Sequence, residues 1–303
     1  MQSDFPRPQW VPFQGIQLAY YQFDPPEVPS KTAGDASPVL WLHANGYPAL
    51  TYTPLLRRLA ASGRRVYALD FIGHGNSGVR EDFSTWLFFR DQALALLDHL
   101  ALPRVRVVGH SIGGATALLT TAALGNEKYA GPAAGTIIES LCLLDPTVLT
   151  PLTSRLLPFV PNGMARAAES RRSVFKSLKI VARSYRMHPG FKDWRQDVYD
   201  AYLRSALRAR SDGQYELRLP PQVEARIFRT LRPGHWKYHK QVRVPALVIQ
   251  AAKSPVCPDR ARALLVRNNP ASRGLRHETG SHFFPMEFPD WTVDRILEFI
   301  AST

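Results

Sequence analysis

The chain predicts an α/β fold: a mostly parallel sheet flanked by helices, with a helical lid inserted over one sheet edge. Three observations carry this reading. Apolar runs of strand length, rich in β-branched residues, alternate with stretches whose apolar residues recur at helical spacing, the pattern of a parallel sheet covered on both faces. One junction between such a run and such a stretch, Arg104 to Leu118, is compressed into the five residues Gly109-His-Ser-Ile-Gly113. Residues 150–240 separate two of the strands by far more chain than a connection needs. With 303 residues the protein can bury a large core, so one main domain with an insertion suits it: residues 1–149 and 241–303 as core, 150–240 as cap.

Taken in order, Phe13 to Phe23 reads as a hairpin turning near Gly15, followed by a linker containing Pro, Ser and Gly. Pro38 to His43 is a fully apolar strand. His43-Ala-Asn45-Gly-Tyr-Pro48 leaves its C-terminal end, where open α/β sheets bind ligands. The backbone N–H of Asn45 is a candidate oxyanion donor, and His43 reads as a core histidine bonded to loop backbone. A helix is expected from Thr51 to Ser62, closed by Gly63, then a strand from Arg65 to Asp70. Phe71 to Gly78 is a tight structural loop and no phosphate cradle, because no lysine follows in the required spacing. Ser84 offers a cap for a helix to about Leu100. Beyond Ser111 come a helix, a surface loop from Gly125 to Gly135, and a strand from Thr136 to Leu144 that Asp145-Pro146 ends. Asp145 thereby reaches the same sheet edge as Ser111. The insertion is helical in character at Phe175 to Arg186 and Asp193 to Arg210. Val244 to Ala251 is a further buried strand, residues 272–279 a short one, and Asp290 to Ala301 the closing helix; His282 lies on the loop after the last strand.

Composition limits the classes. Hydrophobic residues at 45% and charged residues at 21% argue for a packed domain and against disorder. No apolar run approaches ~20 residues, and the N-terminal residues lack a basic start followed by an apolar centre, so a cytoplasmic location without a membrane span is expected. Cys142 and Cys257 lie far apart in unlike settings, which predicts no disulfide, and no cofactor or metal is expected. His235-Trp-Lys-Tyr-His239 has helical metal spacing but no third ligand nearby. The net charge of +13 is concentrated: residues 151–240 carry 19 Lys and Arg against 7 Asp and Glu. Such a face can steer anionic substrates, rest on acidic lipid or bind nucleic acid, or serve only as solvated surface. The aromatics there read as a lid's apolar face, so no nucleic-acid partner is expected. Oligomeric state is not readable from the chain.

The serine junction points to chemistry. Turning from strand to helix in so few residues demands strained backbone at Ser111 and leaves no room for a Cβ at positions 109 and 113. The turn lifts the hydroxyl above the sheet edge and aims the Ile112 N–H at a place where negative charge would collect. The plain alternative is a glycine-rich turn whose serine caps the helix. A serine hydroxyl needs a base to become nucleophilic, and the order Ser111, Asp145, His282 is the one expected on such an elbow.

Gly109-His-Ser111-Ile-Gly-Gly114, the loop from His43 to Pro48, Asp70-Phe-Ile-Gly-His-Gly-Asn-Ser77 and Gly280-Ser-His282 together resemble the α/β-hydrolase superfamily over essentially the whole chain. The resemblance implies Ser111 as nucleophile, His282 as general base and acid, and the N–H groups of Ile112 and Asn45 as oxyanion hole. One departure stands out: Ser254 occupies the place where most members carry the triad acid. Some members carry it after the preceding strand, which favours Asp145 over Asp259, the nearest carboxylate in the later loop. The expected activity is hydrolysis of a carboxylic ester, thioester or lactone on a mostly apolar small molecule, with an anionic one admitted by the basic lid. C–C bond hydrolysis of a diketone-type substrate, or a ligand-binding protein of weak or no catalysis, are the alternatives.

Overall fold

The computed structural model describes residues 5–26, 36–156, 159, 162–232 and 235–303. The chain opens with the hairpin β1 (Gln9–Phe13) and β2 (Ile16–Phe23), turned through Gln14 and Gly15 at φ 45° and 85°. β3 (Val39–Leu42) is buried on both faces, as a parallel strand between helical layers must be. A 3-10 turn (Ala49–Tyr52) then leads into α1 (Thr53–Ala60), a shorter α-helix than Thr51 to Ser62 implies. β4 (Val66–Leu69) follows. α2 (Leu87–His99) starts later than the Ser84 cap predicts: Thr85 Oγ1 accepts the Leu87 N–H at 3.4 Å, while the Ser84 carbonyl is held by Arg232. β5 (Arg104–His110), α3 (Ile112–Leu124) and β6 (Ile137–Leu144) complete the first half of the core.

Between β6 and the next core strand the chain leaves the main sheet. It forms α4 (Pro151–Leu156), α5 (Gly163–Glu169), β7 (Val174–Phe175), α6 (Leu178–Arg186), α7 (Gln196–Ala206), β8 (Leu207–Ala209), β9 (Tyr215–Leu217), α8 (Pro221–Arg229) and α9 (Trp236–His239). This segment is not wholly helical. β7, β9 and β8 make a small antiparallel sheet, and the helix read from Asp193 to Arg210 stops at Ala206. The turn Asp212-Gly213, with Gly213 at φ 78°, supplies the left-handed backbone that sends β9 back against β8.

The core resumes with β10 (Ala246–Lys253), α10 (Asp259–Val266), β11 (Arg273–Ser281), α11 (Phe284–Glu287) and α12 (Pro289–Ala301). The eight main strands are ordered β1-β2-β4-β3-β5-β6-β10-β11, parallel from β4 to β11. Alternate residues of the central strands enter one of two apolar layers: Leu40 and Leu42 pack with α2 and α3, Val39 and Trp41 with α1 and α12. The strand order reverses between β3 and β5, so the C-terminal ends of β3, β5 and β6 open a crevice there.

Candidate active site

Ser111 sits between β5 and α3 at φ 57° and ψ −116°, a conformation costly for any residue with a Cβ. The glycines around it explain how the turn is tolerated. A Cβ on Gly109 would lie 2.4 Å from the Gly113 carbonyl oxygen, and one on Gly113 only 2.1 Å from that of Leu42. Backbone must therefore pass where a side chain would stand. The Ser111 N–H donates to the Leu144 carbonyl at 3.0 Å, pinning the elbow to the neighbouring strand.

The register of β5 on β6 pairs His110 with Leu144, so the residues just beyond both strands, Ser111 and Asp145, become neighbours. Asp145 is wholly buried at φ 39°, its N–H bonded to the Ile249 carbonyl at 2.7 Å. Its carboxylate is fully engaged. Oδ1 accepts the Ala251 N–H at 3.1 Å, and Oδ2 accepts both the Ser254 hydroxyl at 2.5 Å and His282 Nδ1 at 2.6 Å. Ser254, where the family pattern has an acid, is thus a donor to the carboxylate that lies one strand away. Asp259 lies elsewhere: it opens α10, its side chain is 65% exposed, and it pairs with Arg262.

His282 bridges the two. Its Nε2 is 3.0 Å from Ser111 Oγ. Because a carboxylate only accepts, Nδ1 carries the proton and Nε2 is left to accept from the serine. The ring reaches this position through an irregularity in β11. Ala251 pairs with His277 but Lys253 with Ser281, so β11 spends two more residues than β10 over the same stretch. His277 Nδ1 accepts the Gly280 N–H at 2.9 Å inside this bulge, and Ser281 N–H donates to Glu287 at 3.0 Å just beyond it.

On the opposite side, the Ile112 N–H opens α3 and has no intrahelical acceptor. The loop after β3 is tied down by two buried histidines. His43 Nε2 accepts the Phe71 N–H and its Nδ1 donates to the Ala44 carbonyl, while His74 Nε2 accepts the Gly46 N–H at 2.9 Å. Burial holds both neutral, His43 well below its ordinary pKa and His74 at about 4. The N–H groups of Ala44, Gly46 and Phe71 are all committed. That of Asn45 makes no hydrogen bond among the described residues, and its side chain lines the same cavity as Ser111.

Two features escaped the sequence. Thr147 Oγ1 lies 3.4 Å from Ser111 Oγ. Behind the serine, the buried His110 ring joins both loops: its Nε2 donates to the His282 carbonyl at 2.8 Å, its Nδ1 accepts from Tyr52 Oη at 2.7 Å, and Tyr52 in turn accepts the Ala44 N–H at 3.2 Å. A carbonyl can only accept, so every proton in this chain is assigned. Burial and the nearby His282 keep His110 well below its ordinary pKa.

Ser111, Ile112, Asn45, Thr147 and His282 open on a cavity of about 710 Å³, walled by Trp86, Val148, Leu149, Ile227, Leu231 and Val256 among others. Residues between β6 and β10 supply much of the wall. An aromatic cluster fastens that segment to the core: Tyr47 lies 5.4 Å from Trp194, 5.7 Å from Tyr202 and 5.1 Å from Phe283, centroid to centroid. Below it Arg171 donates to Tyr202 Oη at 2.9 Å and pairs with Glu224 at 3.1 Å. No helix among the described residues is long and apolar enough to cross a membrane.

Comparison with known proteins accords with this architecture. The chain is similar to the dihydrolipoyllysine-residue acetyltransferase component of the acetoin cleaving system of Pseudomonas putida, 40% identical over 245 residues, 80% of this chain and 58% of that protein. It is 28% identical over 160 residues to the monoacylglycerol lipase of Mycolicibacterium smegmatis, covering 48% of this chain and 53% of the lipase. The chain spans about two fifths to three fifths of the length of the curated relatives it matches. A peroxisomal alpha-beta-hydrolase from Saccharomyces cerevisiae superposes with a TM-score of 0.77 at 18% identity, over 98% of this chain and 89% of that one, a likeness of fold. Residues 39–295 match the alpha/beta hydrolase family, and the chain belongs to it.

Proposed function

We propose that the protein is a serine hydrolase of carboxylic esters, or of the related thioesters and lactones, acting through an acyl-enzyme beneath a lid formed by residues 150–240. The observation that carries this is the unbroken hydrogen-bonded chain Ser111–His282–Asp145 at the floor of an apolar cavity. In this reading His282 Nε2 takes the Ser111 proton as Oγ attacks the carbonyl carbon. Asp145 holds the Nδ1 proton in place and stabilises the imidazolium that forms. The N–H groups of Ile112 and Asn45 donate to the oxyanion, each contributing about 3 kcal/mol in the transition state. The imidazolium then protonates the leaving alcohol, and water enters by the same steps in reverse. The mostly apolar walls suit an acyl or alkyl chain, and the likeness to a monoacylglycerol lipase supports an ester.

The test is hydrolysis of 4-nitrophenyl hexanoate by the wild type and by Ser111→Ala and His282→Gln. Loss of about 10⁴-fold or more in kcat for either variant, with circular dichroism unchanged, is expected. Activity that survives Ser111→Ala would sink the reading.

A further inference from the structure

The cavity above Ser111 has an uneven charge. Two cationic side chains line it, Arg229 and Arg232, and among the described residues no acidic one does. The two arginines are not equivalent. Arg229 is closed off by Glu169, which accepts from both of its terminal nitrogens. Arg232 donates Nε to the Ser84 carbonyl at 2.8 Å and has no acidic partner among the described residues. That bond anchors the guanidinium to the segment leading into α2 and leaves its terminal amines without a partner among the described residues, exposed at the cavity rim. Nearby His235 adds no further cation: burial first, and the Arg232 charge second, lower its pKa to about 4 and keep it neutral. Asp145 cannot serve either, since it is buried behind His282 and saturated with donors.

Arg232 stands exposed at the rim of a cavity walled by Trp86, Leu149, Ile227 and Leu231, a cation whose hydrogen-bonding fork has no anionic partner among the described residues and can receive a planar carboxylate. We propose that Arg232 is a specificity-determining residue that binds a carboxylate on the substrate. The substrate class is then an ester with an apolar middle and an anionic far end, such as the half-ester of a dicarboxylic acid. This rests on the serine-hydrolase reading for the position of the ester and on Arg232 for the position of the anion.

The experiment compares kcat/KM at low salt for the mono-4-nitrophenyl esters of adipic and suberic acid with the hexanoate and octanoate esters of matched length. The enzymes are the wild type, Arg232→Gln and Arg232→Lys. The wild type is expected to favour at least one half-ester about tenfold over its neutral match. Arg232→Gln removes that preference while changing the neutral esters less than about twofold, and Arg232→Lys keeps part of it. A wild type without preference, or an Arg232→Gln variant that loses both series equally, overturns the proposal. Calorimetric binding of monomethyl adipate and of methyl hexanoate to Ser111→Ala, with and without Arg232→Gln, separates the two claims. If no ester is turned over yet monomethyl adipate binds tighter by an Arg232-dependent margin, the hydrolase reading falls and the anion site stands. If esters turn over with no Arg232-dependent discrimination in rate or binding, the anion site falls alone.

Discussion

Transplanting the acid of the proposed triad from one strand to the next probes the site at its least ordinary feature. Asp145→Asn keeps size and shape but presents an amide to His282 Nδ1. The imidazole can then satisfy itself by moving its proton to Nε2, the nitrogen that must accept from Ser111. In serine proteases that exchange of tautomers costs about 10⁴ in kcat, or roughly 5.5 kcal/mol. The buried surroundings here give no reason for less, because Asp145 is fully enclosed and takes three donors. Ser254 offers the remedy. Its Oγ lies 2.5 Å from the same Oδ2 that His282 contacts, so a carboxylate built on residue 254 reaches the space around Nδ1. The double variant Asp145→Asn/Ser254→Asp should regain about 10²-fold or more of the lost kcat. Ser254→Asp alone places two carboxylates in contact, where like charges cannot both ionise and one stays protonated. That enzyme should stay active but show a displaced acidic limb in its pH–rate profile. The assay is 4-nitrophenyl hexanoate hydrolysis from pH 5 to 9. Retention of more than about a tenth of wild-type kcat by Asp145→Asn would refute the role given to this carboxylate.

Other expectations follow from neighbouring geometry. Tyr52→Phe leaves His110 Nδ1 and the Ala44 N–H buried without partners, which should cost about 2 kcal/mol in urea unfolding and lower kcat about tenfold with KM nearly unchanged; an unchanged kcat would reduce the Tyr52–His110 bridge to simple packing. Gly113→Ala drives a Cβ to 2.1 Å from the Leu42 carbonyl oxygen and should cost more than about 4 kcal/mol, whereas Gly135→Ala, with nothing within 4 Å, should move stability by less than about 0.5 kcal/mol. Acid should destabilise the fold. His74, His235 and His239 are each held neutral by burial, with pKa values of about 4 against an ordinary 6.5, so the unfolded chain takes up their protons first. The stability they confer is full above pH 6.5 and drains away as pH falls through 4, at up to about 3 kcal/mol for His74 alone. Asp70, raised by burial to about 6, acts in the opposite sense but is one group against several. Tm should therefore drop steeply below about pH 5, and a flat profile to pH 4 would contradict the assignment. If the free Arg232 charge attracts substrate, added salt should lower kcat/KM for mono-4-nitrophenyl adipate and leave the hexanoate ester unaffected; equal responses would argue for a passive surface charge.

Local constraints made the elbow readable. The close approach of backbone to Gly109 and Gly113 is written in the glycines themselves, and recurrent apolar runs announce a parallel sheet because its central strands are buried on both faces. Ser254 is legible as a departure from the family pattern, and that departure points to Asp145 one strand earlier. What no pattern discloses is the hydroxyl's use: Ser254 donates to the Asp145 carboxylate. That contact spans 109 residues and depends on the register of β6 against β10. The same holds for the two-residue irregularity in β11 that carries His282 over Ser111, and for the bridge from Tyr52 to His110, 58 residues apart. In the segment between β6 and β10, arginine-rich helical spacing obscured β8 and β9, although Asp212-Gly213 is a hairpin signal in its own right. Ser84 is a good cap by type and fails because tertiary contact overrides it: its carbonyl serves Arg232 and the helix begins three residues later.

The proposed chemistry depends on Ser111 as a nucleophile that His282 activates. Intact-protein mass spectrometry after brief exposure to a fluorophosphonate, with peptide mapping of the adduct, tests this directly. A single adduct on Ser111, absent in Ser111→Ala and forming at least about 10³-fold more slowly in His282→Gln, is the expected result. No adduct, or one on a serine elsewhere with Ser111 untouched, would contradict it and leave the elbow as a scaffold without chemistry.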